Sequence, residues 1–526
     1  MRVLAVKPSH DGSIVYIEDG RLVFSLEAEK NSFRRHADIS AQLVDEALSL
    51  APAPPDVFAI GGWHKYLYGS TSKIAAGYRG TEPGVLERGQ FLGRNIWRYT
   101  SSHERSHVIG GVAMSPFADE SDIAVLVWEG TIGSLYRWRG RSNGLEVHPV
   151  LDQPGARYSA LFGIADPSFA DQGQFPPTEY AGKVMALAGC ADGVPPSQDS
   201  LNVVDALMRK KALYPFTKGY FRQAEIYNAG VETTEFARTA CHLSSRLFEH
   251  FFDAAQRVFE PGLPLVVAGG CGLNCDWNSA WRSSGHFRDV FVPPCPDDTG
   301  SAIGTAQDAI IQLGGPVALD WDVYSGSDFV VDTAAQAWGW SERALDLRSV
   351  ATVLATGSVV AWVQGRCEIG PRALGHRSLL ASASDPLMKD ELNRIKEREP
   401  YRPIAPICLE EDLAKWFDDA TPDPYMLYFR HVLQPSSLPS VTHTNDTARV
   451  QSVTPKSGRR VYDLLVEHRR LTGIGVLCNT SLNYPGRGFI NQLSDLFTYC
   501  ERVNVGWAVV NDKLYSSPEV SGTAPT

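Results

Sequence analysis

The sequence predicts an α/β protein built on central sheet structure. Two observations carry this. Short β-rich runs recur along the chain, and stretches with apolar residues at helical spacing fall between them. Composition agrees: the chain has 526 residues, 44% hydrophobic and 21% charged, which is ordinary for a globular protein long enough for two large domains or three to four smaller ones.

The first run, V-L-A-V-K, is followed by S-I-V-Y-I and, after a two-residue turn at Asp19–Gly20, by R-L-V-F-S-L, a hairpin-like start over residues 1–30. The stretch A-D-I-S-A-Q-L-V-D-E-A-L-S-L has helical periodicity. Strands then recur as V-F-A-I-G-G-W, I-A-V-L-V-W-E-G and L-P-L-V-V-A-G-G, with a helix predicted over Thr233 to Phe259. Residues 315–348 lack periodicity and read as an interdomain connection. A second α/β unit follows from Arg348 to about Tyr515, and the tail over 516–526 is expected to be disordered. No internal repeat is visible.

Several classes are disfavoured. The net charge of −11 gives no basic stripe for nucleic acid. No apolar run approaches the ~18 residues of a membrane span. The start M-R-V-L-A-V-K-P-S-H-D-G turns polar after four apolar residues, unlike a secretory signal. Nine cysteines, an odd count without framework spacing, read as reduced thiols of a cytoplasmic protein. Cys271, Cys275 and Cys295 form no C-x-x-C pair, so structural zinc is disfavoured there.

Three motifs point to chemistry. Cys367 to Ser378, C-E-I-G-P-R-A-L-G-H-R-S, falls short of the phosphate loop G-x-x-x-x-G-K-[ST], because His376 stands for the lysine and an arginine precedes the serine. Arg372 and Arg377 nevertheless offer planar forks suited to phosphate oxygens, and Lys396, Arg398, Arg402 and Arg449 follow among Gly, Pro and apolar residues. An anion pocket is the expectation, against a solvated run of arginines. The second motif, S-S-H-E-R-S-H, puts His103 and His107 four apart, on one face of a helix. In letters it is H-E-x-x-H, yet a chance pair on a solvated helix stays open. Third, glycines end two strand-like runs, at Gly269 to Asn274 and at Glu129–Gly130. In P-D-D-T-G-S-A-I-G-T-A, Asp298 could ligate a metal or cap a helix.

Taken together these segments resemble the O-carbamoyltransferases of the nodulation and antibiotic-tailoring family over nearly the whole chain. The specific matches are H-D-G-S, H-x-x-x-H, G-K-V-M-A-L-A, G-G-C-G-L-N, D-T-G-S-A-I-G, G-P-R-A-L-G-H-R-S, Y-R-P-I-A-P and C-N-T-S-L-N. K-P-S-H-D-G, G-G-W, T-S-S-H-E-R-S-H and G-G-C-G-L-N-C-D-W-N look most like the members that act on 3-hydroxymethylcephems. The resemblance implies an N-terminal actin/Hsp70-like (Kae1-like) carbamoyl-transfer domain over residues 1–330 and a C-terminal YrdC-like α/β domain over 345–515. It implies that carbamoyl phosphate and ATP, with Mg²⁺, yield a carbamoyl-adenylate whose carbamoyl group passes to an antibiotic hydroxymethyl group. It implies iron, or another divalent metal, on His103, His107 and Asp298, with Glu129 where the family has an aspartate. The chemistry then assigns Arg372, Arg377, Lys396, Arg402, Arg449, Asn479 and Asn483 to carbamoyl phosphate. Gly130, Lys183, Gly270 and Asn274 are assigned to the nucleotide, and His10 to the base for the acceptor hydroxyl, with a strand-turn cap as its alternative. Other natural-product hydroxyls, or tRNA modification of the threonylcarbamoyl type, are the alternative acceptors. The reading includes no nucleic-acid or membrane partner, and it allows a homo-oligomer.

Overall fold

The computed structural model describes residues 1–32, 34–62, 76–140, 144–173, 175–210, 213 and 216–520. Trp63 of G-G-W and residues 521–526 of the expected tail lie outside the described residues. The fold is mixed α/β, as the alternating pattern predicts.

The first sheet comprises β1 (Arg2–Lys7), β2 (Ser13–Glu18), β3 (Arg21–Glu27), β4 (Val57–Gly61), β5 (Leu86–Phe91) and β6 (Arg94–Ser101), in the order β3-β2-β1-β4-β6-β5. The strands β1, β2 and β3 form an antiparallel meander, and β4 returns parallel to β1 with Val57 beside Val3. The Asp19–Gly20 turn has φ of 50° and 81°, both left-handed, as a tight hairpin between right-twisted strands requires.

The second sheet comprises β7 (Ile123–Trp128), β8 (Gly133–Trp138), β9 (Leu145–Pro149), β10 (Pro264–Ala268) and β11 (Asp289–Phe291), in the order β11-β10-β7-β8-β9. Again three strands form an antiparallel meander and a later strand, β10, returns parallel to the first. The topology is therefore repeated although the sequence shows no repeat. A buried strand needs only apolar, β-prone residues, and R-V-L-A-V-K and I-A-V-L-V-W meet that need with different letters.

The third sheet takes the remaining long strands: β12 (Ser341–Ala344), β13 (Val360–Val363), β14 (Arg377–Ser382) and β15 (Ala405–Leu409), then, beyond the short ribbon β16 (Arg430–His431) with β17 (Thr447–Ala448), β18 (Gln451–Val453), β19 (Val476–Ser481), β20 (Trp507–Val510) and β21 (Lys513–Ser516). The order is β12-β21-β20-β13-β14-β19-β15-β18. Its two faces pack separate cores, one around Leu392, Trp416 and Phe497, the other around Leu354, Trp362 and Leu465.

Two expectations need correction here. The stretch 315–348 is more than a connection, since β12 is the edge of the third sheet, held to β21 by ladder pairing and by Glu342 bonded to Lys513 (2.6 Å) and Tyr515 (3.0 Å). All four residues of β12 are exposed, so no apolar pattern announced it. The tail is also ordered as far as 520. Ser516 ends β21, Ser517 is buried and donates its amide to the Gly506 carbonyl (2.9 Å), and Val520 packs on the core that holds Trp507.

The chain divides into two compact units. One holds residues 1–61, 86–99 and 319–526; the other holds 62–85 and 100–318. Within the first, residues 320–327 run beside β3, with the Leu22 amide on the Asp320 carbonyl and the Ser25 amide on the Ser325 carbonyl (both 2.8 Å). The same segment pairs with the loop before β14 through the Gly326 amide on the Cys367 carbonyl and the Cys367 amide on the Ser327 carbonyl.

Candidate active site

In the unit of residues 62–85 and 100–318, the helix His103–Met114 is buried on every face, which removes the solvated-helix reading of S-S-H-E-R-S-H. Its N-terminus is capped by Ser102, whose hydroxyl accepts the Arg105 amide (3.1 Å). It packs against the helix Ser301–Gln312 at Gly110 and Gly304, where the backbones nearly touch. A Cβ on Gly304 would lie 1.8 Å from the Ser106 carbonyl oxygen. Gly304→Ala therefore forces the helices apart. It is expected to cost about 1–3 kcal/mol in thermal denaturation and to lower bound metal, because one helix carries the histidines and the other follows Asp298.

His103 and His107 sit one turn apart with Nε2 atoms separated by 3.2 Å and ring planes at 90°. Asp298 Oδ1 lies 3.4 Å from both Nε2 atoms, and Glu129 Oε2, from the end of β7, lies 3.4 Å from His103 Nε2. All four ligand atoms fall within 4.8 Å of one another. Perpendicular ring planes intersect, so both in-plane lone pairs can meet at one ion. Glu129 Oε1 is buried with no hydrogen-bond partner, which leaves one of its oxygens for a ligand. Burial works against a proton on His103, yet Asp298 and Glu129 outweigh it and push the ring up to about 9. The donor set, two imidazoles and two carboxylates, suits a first-row divalent metal. Glu129 thus reaches the cluster despite its extra methylene.

Glu104 does not join it. One of its oxygens accepts the Gly80 amide (2.8 Å) and the other the Tyr136 hydroxyl (2.5 Å), so the resemblance to H-E-x-x-H ends with the letters. Asp298 opens the turn that leads into the helix Ser301–Gln312, where the N-cap positions Asp297 and Gly300 make no side-chain cap.

The glycines expected to meet a nucleotide hold sharp geometry. Gly269, with φ 90°, would put a Cβ 2.5 Å from the Trp128 carbonyl oxygen, while Cβ atoms on Gly130 and Gly270 would meet nothing nearer than 3.9 Å. Asn274 caps the helix Cys275–Ser283, accepting the amides of Asp276 (3.1 Å) and Trp277 (3.4 Å). Lys183 stands on the helix Ala181–Gly189 over the ring of Tyr180, at 5.7 Å.

In the other unit the loop before β14 is not a phosphate cradle. Glu368 Oε1 accepts the amides of Leu374 (2.7 Å), His376 (2.8 Å) and Arg377 (3.1 Å), so the protein's own carboxylate fills the nest that an anion would use. Arg377 also departs from its expected role. It is fully buried and its guanidinium is bonded to the carbonyls of Gln364, Gly365 and His376 and to Asn491 Oδ1, all at 2.8–3.0 Å. Those donors are spent on the fold.

The cationic cluster lies instead around Arg398, Arg402 and Arg449. Burial and the charges of Arg402 and Arg449 hold Arg398 down at about 10, and burial and Arg449 also depress Arg402. Arg449 Nε is buried without a partner. Such an excess of positive charge suits a bound anion. Arg372 is half-buried in the G-P-R-A turn, two residues before Leu374.

Lys396, Asn479 and Asn483 are held by internal hydrogen bonds. Lys396 Nζ donates to the carbonyls of Ser481 (2.6 Å) and Asn483 (2.9 Å) and to Asn483 Oδ1 (2.6 Å). Burial, with Arg398 adding, pushes this amine well below the usual lysine range. Asn479 Nδ2 donates to the Ala373 carbonyl (3.0 Å) and Gln451 Oε1 (2.9 Å), leaving its Oδ1 buried and unbonded. Sequence reasoning missed His443, six residues before Arg449. Burial, then Arg449 and Lys389, hold it down at about 3, so it is an uncharged ring beside the cluster. A lone histidine in T-H-T-N-D-T-A-R gave no spacing signal.

In the same unit His10 and Asp11 follow β1. His10 Nδ1 lies 3.0 Å from Asp11 Oδ2, and His36 Nδ1 lies 2.9 Å from Asp11 Oδ1.

The family profiles for the carbamoyltransferase C-terminus and N-terminus match residues 351–517 and 258–307. The 3'-hydroxymethylcephem-O-carbamoyltransferase of Amycolatopsis lactamdurans is 46% identical over 99% of this chain and 100% of its own. That of Streptomyces clavuligerus is 45% identical over 98% and 99%. Nodulation protein U of Sinorhizobium fredii is 36% identical over 99% and 100%. The chain belongs to the O-carbamoyltransferase family and is a carbamoyl-transferring enzyme. No helix among the described residues is long and apolar enough to cross a membrane.

Proposed function

We propose that the enzyme carbamoylates the 3-hydroxymethyl group of a cephem, drawing on carbamoyl phosphate and ATP through a carbamoyl-adenylate. The names of the two relatives at 45% and 46% identity support the acceptor. The observation that carries the chemistry is the cluster of three cations, Arg398, Arg402 and Arg449, with the single carboxylate of Glu399 acting on it, which suits a dianionic donor and its leaving phosphate. In this reading residues 1–330 form the actin/Hsp70-like transfer domain and 345–515 the YrdC-like domain. The repeated strand order of the first two sheets supports the former.

Water releases carbamate and phosphate from carbamoyl phosphate. A carbamate oxygen attacks the α-phosphorus of ATP, and pyrophosphate leaves. The acceptor oxygen then bonds to the carbamoyl carbon of the adenylate as AMP departs, and the hydroxyl proton goes to His10. Arg372, Arg402 and Arg449 hold the phosphate-bearing donor. Lys396 fixes the turn bearing Asn483, and Asn479 presents its amide oxygen to the carbamoyl NH₂. Gly130, Lys183, Gly270 and Asn274 flank the nucleotide. His103, His107, Glu129 and Asp298 would hold a divalent metal, iron in the family pattern, which would supply positive charge there.

Incubation with carbamoyl phosphate, Mg·ATP and a 3-hydroxymethylcephem should add one carbamoyl group by mass. Turnover only with a sugar or another alcohol in the acceptor panel would reassign the acceptor. His10→Asn is expected to keep adenylate formation yet lose transfer on the order of 10²-fold or more, because an alcohol is a poor nucleophile until a base takes its proton. Single-turnover assays following adenylate and product separately check this. Equal loss of both steps would place His10 in nucleotide binding or folding.

A further inference from the structure

We infer that His36 is a positioning residue for His10: its ring, and the Asp11 carboxylate the two share, fix the His10 imidazole with Nδ1 toward Asp11, so that Nε2 takes the acceptor's proton. This rests on the reading of His10 as the base.

The cluster is built rather than incidental. The loop after β1 and the loop after the helix Ala28–Ser32 are stitched by the Gly12 amide on the Ala37 carbonyl (2.8 Å) and the Ile39 amide on the Pro8 carbonyl (3.2 Å). A Cβ on Gly12 would lie 2.8 Å from the Ile39 nitrogen, so only glycine permits this approach. Asp11 and His36 both take left-handed φ, 55° and 54°. Such values are uncommon outside glycine and gather where the surroundings dictate a side chain's direction.

The rings of His10 and His36 stack at 4.6 Å with planes 14° apart. His36 Nδ1 is 2.9 and 3.1 Å from the two Asp11 oxygens, and His10 Nδ1 is 3.0 Å from Oδ2. The three residues come close enough to suggest a metal group. Ring orientation decides against it. An imidazole binds an ion in its own plane, and two nearly parallel planes offer no common point, unlike the perpendicular pair His103 and His107. A carboxylate can serve both rings because it has two oxygens.

The charges follow. Burial opposes ionisation of Asp11, but its bonds to His10 and His36 outweigh this and hold it well below the usual carboxylate range. The bond to Asp11 raises His36 against its burial. The Asp11 carboxylate thus favours a proton on His36, and a second positive charge stacked on that ring would be repelled. Three other charged groups lie nearby, Lys7, Glu29 and Arg35. Lys7 donates to the His10 carbonyl, while Glu29 accepts the His36 amide (3.3 Å) and the Arg35 guanidinium (3.3 Å). Without His36, Asp11 faces His10 alone and draws a proton onto it. In the transfer step the acceptor's O–H bond breaks toward His10 Nε2 as its oxygen bonds to the carbamoyl carbon and AMP leaves.

The test uses the full chain with carbamoyl phosphate, Mg·ATP and a 3-hydroxymethylcephem, following single-turnover transfer from about pH 6 to 9. Asparagine tolerates left-handed φ, so His36→Asn is the variant. It should leave adenylate formation unchanged and lower transfer about tenfold or more near neutrality, with the loss shrinking as pH rises. In an Asp11→Asn background the same substitution should no longer move the acid limb. A loss equal at every pH, or none, overturns the proposal. Should His36→Asn not fold, the ring ¹⁵N signals of the wild-type enzyme decide: His36 with both nitrogens protonated and His10 with one supports it, and His10 with two overturns it. Full transfer by His10→Asn would remove the base reading itself, whatever the His36 variant does.

Discussion

Arg449→Ala is expected to abolish carbamoyl-adenylate formation, by on the order of 10²–10³-fold, while the protein still folds. The guanidinium Nε is buried without a partner, and its neighbours Arg398 and Arg402 are held down partly by its charge. Removing it relieves repulsion in the free protein, so stability should hold or rise. What is lost is a charge-assisted contact to the phosphate of the donor, which alanine cannot replace. Arg372→Ala should behave likewise. Arg377→Ala makes the opposite contrast. Its buried guanidinium donates to four acceptors within 3.0 Å, so its removal should lower the melting temperature far more than Arg449→Ala does. Pyrophosphate release and the adenylate's mass report the first step, and thermal denaturation reports the second. A wild-type rate of adenylate formation in Arg449→Ala would remove this cluster from donor binding.

His107→Ala should empty the metal position and stop transfer to the acceptor, while adenylate formation continues. Two imidazoles at 3.2 Å anchor the cluster, and losing one leaves a single ring with two carboxylates. Even outer partners of metal ligands cost about 10–100-fold in affinity, so a direct ligand should cost more. Metal analysis of the purified variant is the readout independent of activity. Full occupancy in His107→Ala would make the helix pair structural only. Because the helix His103–Met114 is buried throughout, a melting curve should accompany the analysis, so that loss of metal is separated from loss of fold.

The local letters determined a good deal. Short apolar runs gave β1, β2, β3, β4, β7 and β10 of the first two sheets, because burial itself selects Val, Ile and Leu. Asp19–Gly20 forced a tight turn wherever the strands went. The four-residue spacing of His103 and His107 placed both rings on one helical face before any partner was known. The resemblance of ordered motifs then gave the family.

Tertiary structure alone decided which polar groups are spent and which remain for a ligand. Arg372, Arg377 and Arg449 are the same residue type in similar company. Only the positions of Gln364, Gly365 and Asn491 make Arg377 a structural ion, and only the absence of such acceptors leaves Arg449 Nε for an anion. Glu368 looked like one more letter in a glycine loop, yet its carboxylate occupies the amides that the loop might have turned to phosphate. His36 lies 26 residues from His10 in a loop with no periodicity, and nothing local pairs it with Asp11. The edge strand β12 is exposed throughout and left no apolar trace. The physical reason is common to these cases. Apolar burial is written into each residue's own chemistry, whereas a buried polar group is defined by its partner, and partners far apart in the chain meet only when the fold brings them together.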